Sequence, residues 1–214
     1  MTINGRKAGI GNRAVPGEDV VEVDGVEVPT DVARRYVILN KPAGVVTTTG
    51  DARGRKTVLD LLPPSMKEGI RLFPVGRLDM DSTGLILLTN DGFLSERLLH
   101  PRFEVQREYI VEVKPVPRAQ DLAKLRKGLV LEDGNTGPAK VSLVAKSEGK
   151  GLVRMIIHTG KKRQIRRSFD ALAYKVISLN RVRVGSLSLG SLAPGESREL
   201  VVDEVRRLYR EAGV

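Results

Sequence analysis

Short apolar runs closed by turn-forming residues dominate the chain. Tyr36-Val37-Ile38-Leu39 is followed by Asn40-Lys41-Pro42-Ala43-Gly44, and Leu85-Ile86-Leu87-Leu88 by Thr89-Asn90-Asp91-Gly92. Such runs read as buried strands, and Val45-Val46-Thr47-Thr48 reads as the partner of the first. Glu108 to Val113 alternates instead, which places Tyr109, Val111 and Val113 on one face. Further strands are predicted near 139–145, 152–158, 175–180 and 182–189. Helical signals are fewer. Thr57 to Leu62 reads as a short helix capped by Thr57 and stopped by Pro63-Pro64. Residues 118–127 read as an exposed helix and 203–212 as a terminal one. A helix starting near Arg163 carries Ile165, Phe169 and Leu172 as an apolar stripe, with Arg163, Arg166 and Arg167 opposite. Thr49 to Lys56 reads as a mobile polar loop. Many strands with few helices, and no βα alternation, predict an α+β fold with a mixed, mostly antiparallel central sheet flanked by helices.

Residues 1–28 form a separate pattern. Thr2-Ile3-Asn4-Gly5 and Asp19 to Gly25 read as short strands closed by Gly-containing turns. So short a segment cannot bury a core of its own. Pro29-Thr30-Asp31 opens a linker over 29–35, and 36–214 reads as the main domain.

Composition narrows the partners. Lys and Arg number 36 against 26 Asp and Glu, a formal charge of +10 in 214 residues, which favours an anionic partner: RNA, DNA or an acidic membrane. The absence of cysteine excludes disulfides, thiolate metal sites and a cysteine nucleophile. His100 and His158 lack metal-ligand spacing; they read as a helix-end and a strand-end residue, so no metal is expected. No run approaches the ~18 apolar residues of a membrane span, and the N-terminus has no signal-peptide core. A soluble cytoplasmic protein without a membrane partner is the expectation.

Candidate chemistry concentrates in two places. Gly76-Arg77-Leu78-Asp79-Met80-Asp81-Ser82-Thr83-Gly84 packs carboxylates, a guanidinium and two glycines into a loop joined to the 85–88 strand. Loops held this way often carry function, although a turn with local Asp–amide bonds has the same composition. Asp79-Met80-Asp81-Ser82-Thr83 also fits the Asp-x-Asp-x-Thr of haloacid-dehalogenase-type phosphatases. Those need an unbroken strand before the first Asp, and Pro74 and Gly76 interrupt it here. The second place is Lys161 to Arg167, with five basic residues in seven positions. Like charges at a helix start oppose the dipole, whereas the amides there suit phosphate.

Gly76-Arg77-Leu78-Asp79 resembles the catalytic signature of the pseudouridine synthases, in particular the RsuA/RluB branch acting on ribosomal RNA. The resemblance extends through Leu39-Asn40-Lys41-Pro42-Ala43-Gly44, Asn90-Asp91-Gly92, His100-Pro101-Arg102-Phe103 and Arg107-Glu108-Tyr109. It resumes at Gly160 to Arg167 and at Arg181-Val182-Arg183-Val184-Gly185. It implies a pseudouridine synthase fold over 36–214 and a cofactor-free isomerisation of uridine to pseudouridine. It also implies that 1–28 is the C-terminal remnant of a small RNA-binding domain whose leading helices are missing.

By the same resemblance Asp79 is the catalytic carboxylate, Arg166 its cationic partner and Tyr109 the tyrosine against the target base. Leu179 floors the uracil pocket, although plain core would look the same. Arg77 enters the duplex as the nucleotide flips out, and Lys41, Lys161, Lys162, Arg163 and Arg167 bind RNA. Ser168 and Arg107 depart from the branch, which often has Met and Lys there. Lys162-Arg163-Gln164 looks closer to the RluB type and tips the target to 23S large-subunit rRNA, or an assembly precursor, over 16S rRNA. A monomer is expected. A non-catalytic RNA-binding module is the rival from another class, and the co-occurrence of Asp79, Tyr109 and Arg166 opposes it.

Overall fold

The computed structural model describes residues 1–15, 17–28, 30 and 32–214. Pro29 and Asp31 of the expected linker lie outside the described residues. The chain divides into two units, Met1–Arg34 and Arg35–Val214.

The first unit holds four short strands, β1 (Thr2–Ile3), β2 (Arg6–Lys7), β3 (Val21–Val23) and β4 (Val26–Val28), in the order β2-β1-β3-β4. Each predicted strand is the first arm of a hairpin. The turns Asn4-Gly5 and Asp24-Gly25 have positive φ at both residues, which two-residue hairpins of this twist require.

The second unit runs β5 (Tyr36–Lys41), β6 (Phe73–Pro74), β7 (Thr83–Thr89), α1 (Gly92–Leu99), β8 (Arg107–Lys114), α2 (Ala119–Lys127), β9 (Val130–Leu131) and β10 (Gly134–Asn135). It continues through β11 (Lys140–Ser147), β12 (Lys150–Ile157), α3 (Gln164–Asp170), β13 (Lys175–Val184), β14 (Leu187–Ser188), β15 (Ser197–Glu199) and α4 (Val202–Glu211). The main sheet is ordered β11-β12-β8-β13-β7-β5-β15, with β14 beside β13 and β6 beside β7. The fold is α+β, and the sheet is antiparallel except where β13 meets β7.

The unbroken apolar runs of β5 and β7 are explained by burial on both faces. Ile38, Leu85 and Leu87 face a cluster with Leu94 and Leu98 of α1 and Leu208 of α4. Val37, Leu39, Ile86 and Leu88 face a second cluster with Val58, Leu62 and Leu72. A third cluster joins Tyr109, Val111 and Val113 of β8 to Leu122 and Leu125 of α2 and Ile165 and Phe169 of α3.

Three local expectations are corrected and one is refined. Val45–Thr48 does not pair with β5, whose antiparallel partner is β7; Val46 makes only an isolated bridge to Thr57. The short helix expected after Thr57 is present as a 3-10 helix over Val58–Leu61 with Thr57 at its N-cap, anchored by the Asp60 carboxylate, which accepts from the Thr57 amide at 2.7 Å and hydroxyl at 2.8 Å. Helix α2 is not exposed all round, because Leu122 and Leu125 supply an i, i+3 contact to the sheet. Segments 175–180 and 182–189 are largely one strand, β13, whose register shifts near Val176 and Arg181 absorb the break in alternation.

Strands β13 and β7 touch through two residue pairs, Asn180 with Thr83 and Arg181 with Gly84. Gly84 has φ +106°, and a Cβ there would lie 2.3 Å from the Arg181 carbonyl oxygen. Only glycine permits so close an approach.

Candidate active site

The Asp79 loop is fixed at several points. The Thr47 hydroxyl donates to the Leu78 carbonyl at 2.9 Å and accepts from the Leu78 amide at 3.3 Å. The Gly44 amide donates to Met80 O at 2.8 Å, and the Ser82 amide to Asp79 O at 3.0 Å. These bonds put the Asp79 side chain, 34 % exposed, on a cleft of about 760 Å3 that Arg77, Tyr109, Arg163, Leu179 and Arg181 also line.

Lys41 is not on that surface, and its expected role in RNA binding is corrected. It is fully buried. Its ammonium donates to Pro42 O at 2.9 Å, Val45 O at 2.8 Å and Met80 O at 3.4 Å, so no donor reaches a phosphate. Burial pulls its pKa down to about 8, against the opposing pull of Asp81 and Asp79. Lys41 is a fastening of the loop.

The cations divide differently from the sequence expectation. Arg166 is buried and does not share an exposed face with Arg163 and Arg167. Its Nη2 donates to Asp81 O at 3.1 Å, lies 3.3 Å from Asp81 Oδ2 and 3.5 Å from Ser82 Oγ. The guanidinium paired with Asp79 is that of Arg163, with Nη1 3.5 Å from Asp79 Oδ2 and 3.5 Å from Asp81 Oδ1. Arg163 sits just ahead of α3 with φ +50°, a left-handed turn that frees its side chain from the helix. Arg166 one turn on is carried inward with Ile165 and Phe169. Arg163 thus serves the loop that holds the carboxylates, beyond its expected contact with RNA.

The remaining basic residues are partly engaged. Arg167 Nη2 pairs with Asp133 Oδ2 at 2.7 Å, and Lys161 Nζ donates to Asp133 O at 2.7 Å. Asp133 lies in the turn between β9 and β10, and the Arg167 bond holds its carboxyl below the usual carboxylate range. Lys162 and Arg77 are exposed.

Tyr109 and Leu179 form the apolar side of the cleft. Tyr109 is opposite Arg181 in the ladder, and Leu179 opposite Val111. Both are buried within the cluster that includes Ile165 and Phe169, so Leu179 is at once core and cleft wall.

Three further residues lie at the site although the sequence reading gave them no place in it. Arg181 is buried and donates from Nε to Leu85 O at 2.8 Å. Arg107 donates to Leu98 O at 2.9 Å and His158 O at 3.2 Å. Burial lowers its pKa; Tyr109 opposes this and Arg181 adds to it. Gln164 is buried; its Oε1 accepts from the Lys161 amide at 3.1 Å and its Nε2 donates to Thr136 O at 3.1 Å. A signal existed for Arg181, because the period of two that puts Leu179 on the cleft puts Arg181 on the same side. None marked the burial of Gln164, whose amide nitrogen bonds the Thr136 carbonyl, 28 residues away in sequence.

Residues 35–171 match the family model for RNA pseudouridylate synthase. The chain belongs to this family and is an RNA pseudouridine synthase, an isomerase. It is 45 % identical over 206 residues to an uncharacterised RNA pseudouridine synthase of Mycobacterium leprae, covering 96 % of this chain and 80 % of that one. It is 40 % identical over 196 residues to the ribosomal large subunit pseudouridine synthase B of Bacillus subtilis, covering 91 % and 79 %. A crystal structure of a pseudouridylate synthase superimposes with a TM-score of 0.76 at 30 % identity, over 97 % of this chain and 87 % of that one.

Proposed function

We propose that this enzyme isomerises a uridine of large-subunit ribosomal RNA, with Asp79 as its catalytic carboxylate. The observation that carries the site is the position of Asp79. It projects from a loop fastened by Thr47, Gly44 and Lys41 into a cleft walled by Tyr109 and Leu179. The target class is supported by the likeness to the ribosomal large subunit pseudouridine synthase B of Bacillus subtilis.

The reaction breaks the bond from uracil N1 to ribose C1′, turns the base and joins C5 to C1′. The proton leaving C5 is balanced by one gained at N1, so nothing is consumed. Asp79 acts on the ribose or the base, and every such route needs an ionised carboxylate within a few ångströms of the nucleotide. Arg163 and Arg166 hold the loop's two carboxylates and so orient Asp79. Tyr109 packs on the uracil and Leu179 floors its pocket. A base must leave its stack to enter, and Arg77 fills the space it vacates. Lys161, Lys162, Arg163 and Arg167 hold phosphates. The chemistry belongs to 36–214, and residues 1–28 add RNA contacts. The enzyme works as a cytoplasmic monomer on rRNA or an assembly precursor.

The test is carbodiimide mapping of pseudouridine on transcribed 23S and 16S rRNA incubated with the protein. A new stop in 23S rRNA alone is expected. A stop confined to 16S rRNA overturns the target and leaves the chemistry standing.

A further inference from the structure

One border of the cleft has no part in the reaction described above. Helix α1 ends at Leu99, and His100 leads into a 3-10 turn, Pro101–Phe103. Leu99 and Pro101 line the cleft together with Arg77 and Lys162. Leu99 is apolar yet 42 % exposed. It lies against the Asp79 loop, since a Cβ on Gly76 would come within 2.9 Å of Leu99 Cδ2. At the other end, the Glu104 carbonyl accepts from His158 Nδ1 at 2.7 Å, two residues before Gly160 opens the basic loop. Arg107 ties Leu98 O to His158 O. The ledge from Leu99 to Phe103 is therefore continuous with both the Asp79 loop and the basic loop, and it is held in place before any ligand arrives.

Its chemistry is specific. The Arg102 guanidinium lies over the Phe103 ring, 4.4 Å from the centroid. Among the described residues no carboxylate pairs with it. Arg97 also packs on Phe103, at 5.1 Å, but spends its Nη1 on the Ala212 and Gly213 carbonyls. His100 Nδ1 accepts from the Arg102 amide at 3.2 Å, so a neutral imidazole carries its proton on Nε2 and has that N–H to donate. A planar, ring-stacked cation beside a fixed N–H donor suits an unpaired nucleotide. The base can stack on the guanidinium plane while the N–H takes a phosphate oxygen. A paired base offers no free face, so this combination favours single-stranded RNA.

We propose that the ledge His100–Phe103 is a second RNA-binding surface, which grips an unpaired nucleotide of the strand flanking the target uridine. This rests on RNA occupying the adjoining cleft. The experiment measures fluorescence anisotropy of a labelled oligouridylate and of a labelled blunt RNA duplex, titrated with the full chain. The variants are Arg102→Ala, Arg102→Lys, His100→Ala and Lys162→Ala, each checked for an unchanged thermal melt.

Arg102→Ala is expected to weaken oligouridylate binding by about tenfold and duplex binding by less than about twofold. His100→Ala should weaken oligouridylate binding by about threefold. Arg102→Lys keeps the charge but loses the plane, and should recover less than half of the loss. Equal losses on the two RNAs, or full recovery with Lys, overturn the stacking surface and leave a plain phosphate contact. A loss with Lys162→Ala but none with Arg102→Ala overturns the ledge alone. No loss with either variant overturns the occupation of the cleft by RNA as well.

Discussion

Arg163 reaches across the mouth of the cleft to Asp79, its Nη1 3.5 Å from Oδ2, while Arg166 meets Asp81 behind it. Two carboxylates two residues apart thus have separate principal cations, one exposed and one buried. The pairing gives the two acids and the two arginines distinguishable roles.

Asp79→Asn is expected to lower the rate of pseudouridine formation by about 10²–10⁴-fold while leaving RNA affinity within a few-fold. Asp81→Asn weakens the ion pairs of a half-exposed carboxylate but leaves the Arg166 bond to the Asp81 carbonyl, so it should stay within about tenfold. Single-turnover mapping on rRNA checks both. Equal losses at the two positions would remove Asp79 from its special place.

Arg163→Ala and Arg166→Ala should separate by stability. Arg166 is buried on Ser82 and the Asp81 backbone, so its loss should cost about 2 kcal/mol in urea unfolding as well as turnover. Arg163 is 43 % exposed, and Arg163→Ala should leave stability within about 0.5 kcal/mol while slowing single turnover about tenfold. An Arg163→Ala variant that changes only the salt dependence of binding would reduce this residue to a phosphate contact.

Lys41 makes a pH signature. The unfolded chain keeps this proton up to the ordinary lysine range, whereas the folded state releases it near pH 8. Between those values the unfolded state binds more protons, so this group makes folding stability rise with pH. Lys41→Met should therefore remove part of the increase between about pH 8 and 10. At pH 7 it should cost about 3 kcal/mol, because the Val45 and Pro42 carbonyls lose their partner. Urea titrations of both proteins at several pH values decide it. Parallel pH dependences would mean that Lys41 holds its proton equally in both states.

Asp133→Asn should release Arg167 from its ion pair. RNA binding is then expected to tighten about threefold, and the slope of log affinity against log salt to steepen by up to about one unit. Weaker binding in the variant would show that Asp133 positions Arg167 for RNA instead of competing for it.

Much of the fold was legible because its strands are continuous or alternating runs with Gly, Pro and Asn punctuation. β5, β7 and β8 fall close to where their patterns place them. The partner of β5 was not legible, because Val45–Thr48 has strand composition but its neighbours are consumed by the Lys41 and Thr47 contacts with the Asp79 loop. Proximity in sequence favoured a hairpin, and burial on both faces favoured β7. At the site, four of the residues that the resemblance pointed to, Asp79, Tyr109, Leu179 and Arg163, line one cleft. Lys41 was misread because a lysine in a turn usually reaches solvent. The exchange of partners between Arg163 and Arg166 turned on one left-handed residue, which helical periodicity does not reveal.

The seam at Gly84 has a consequence for anyone wishing to alter the substrate. The Asp79 loop enters the sheet through β7, and the Tyr109–Leu179 wall belongs to β8 and β13. Among the described residues, the only strand ladder joining these two parts directly is backbone on backbone at Thr83–Gly84 and Asn180–Arg181. The spacing between carboxylate and base pocket is accordingly a ruler made of main chain, with the fixed interval of neighbouring strands, roughly 4.7–4.9 Å. Trimming Tyr109 or Leu179 would enlarge the pocket without moving the carboxylate, whereas any side chain at position 84 would lengthen the ruler itself. Redesign for a bulkier nucleobase therefore belongs on the floor, with the seam left as glycine.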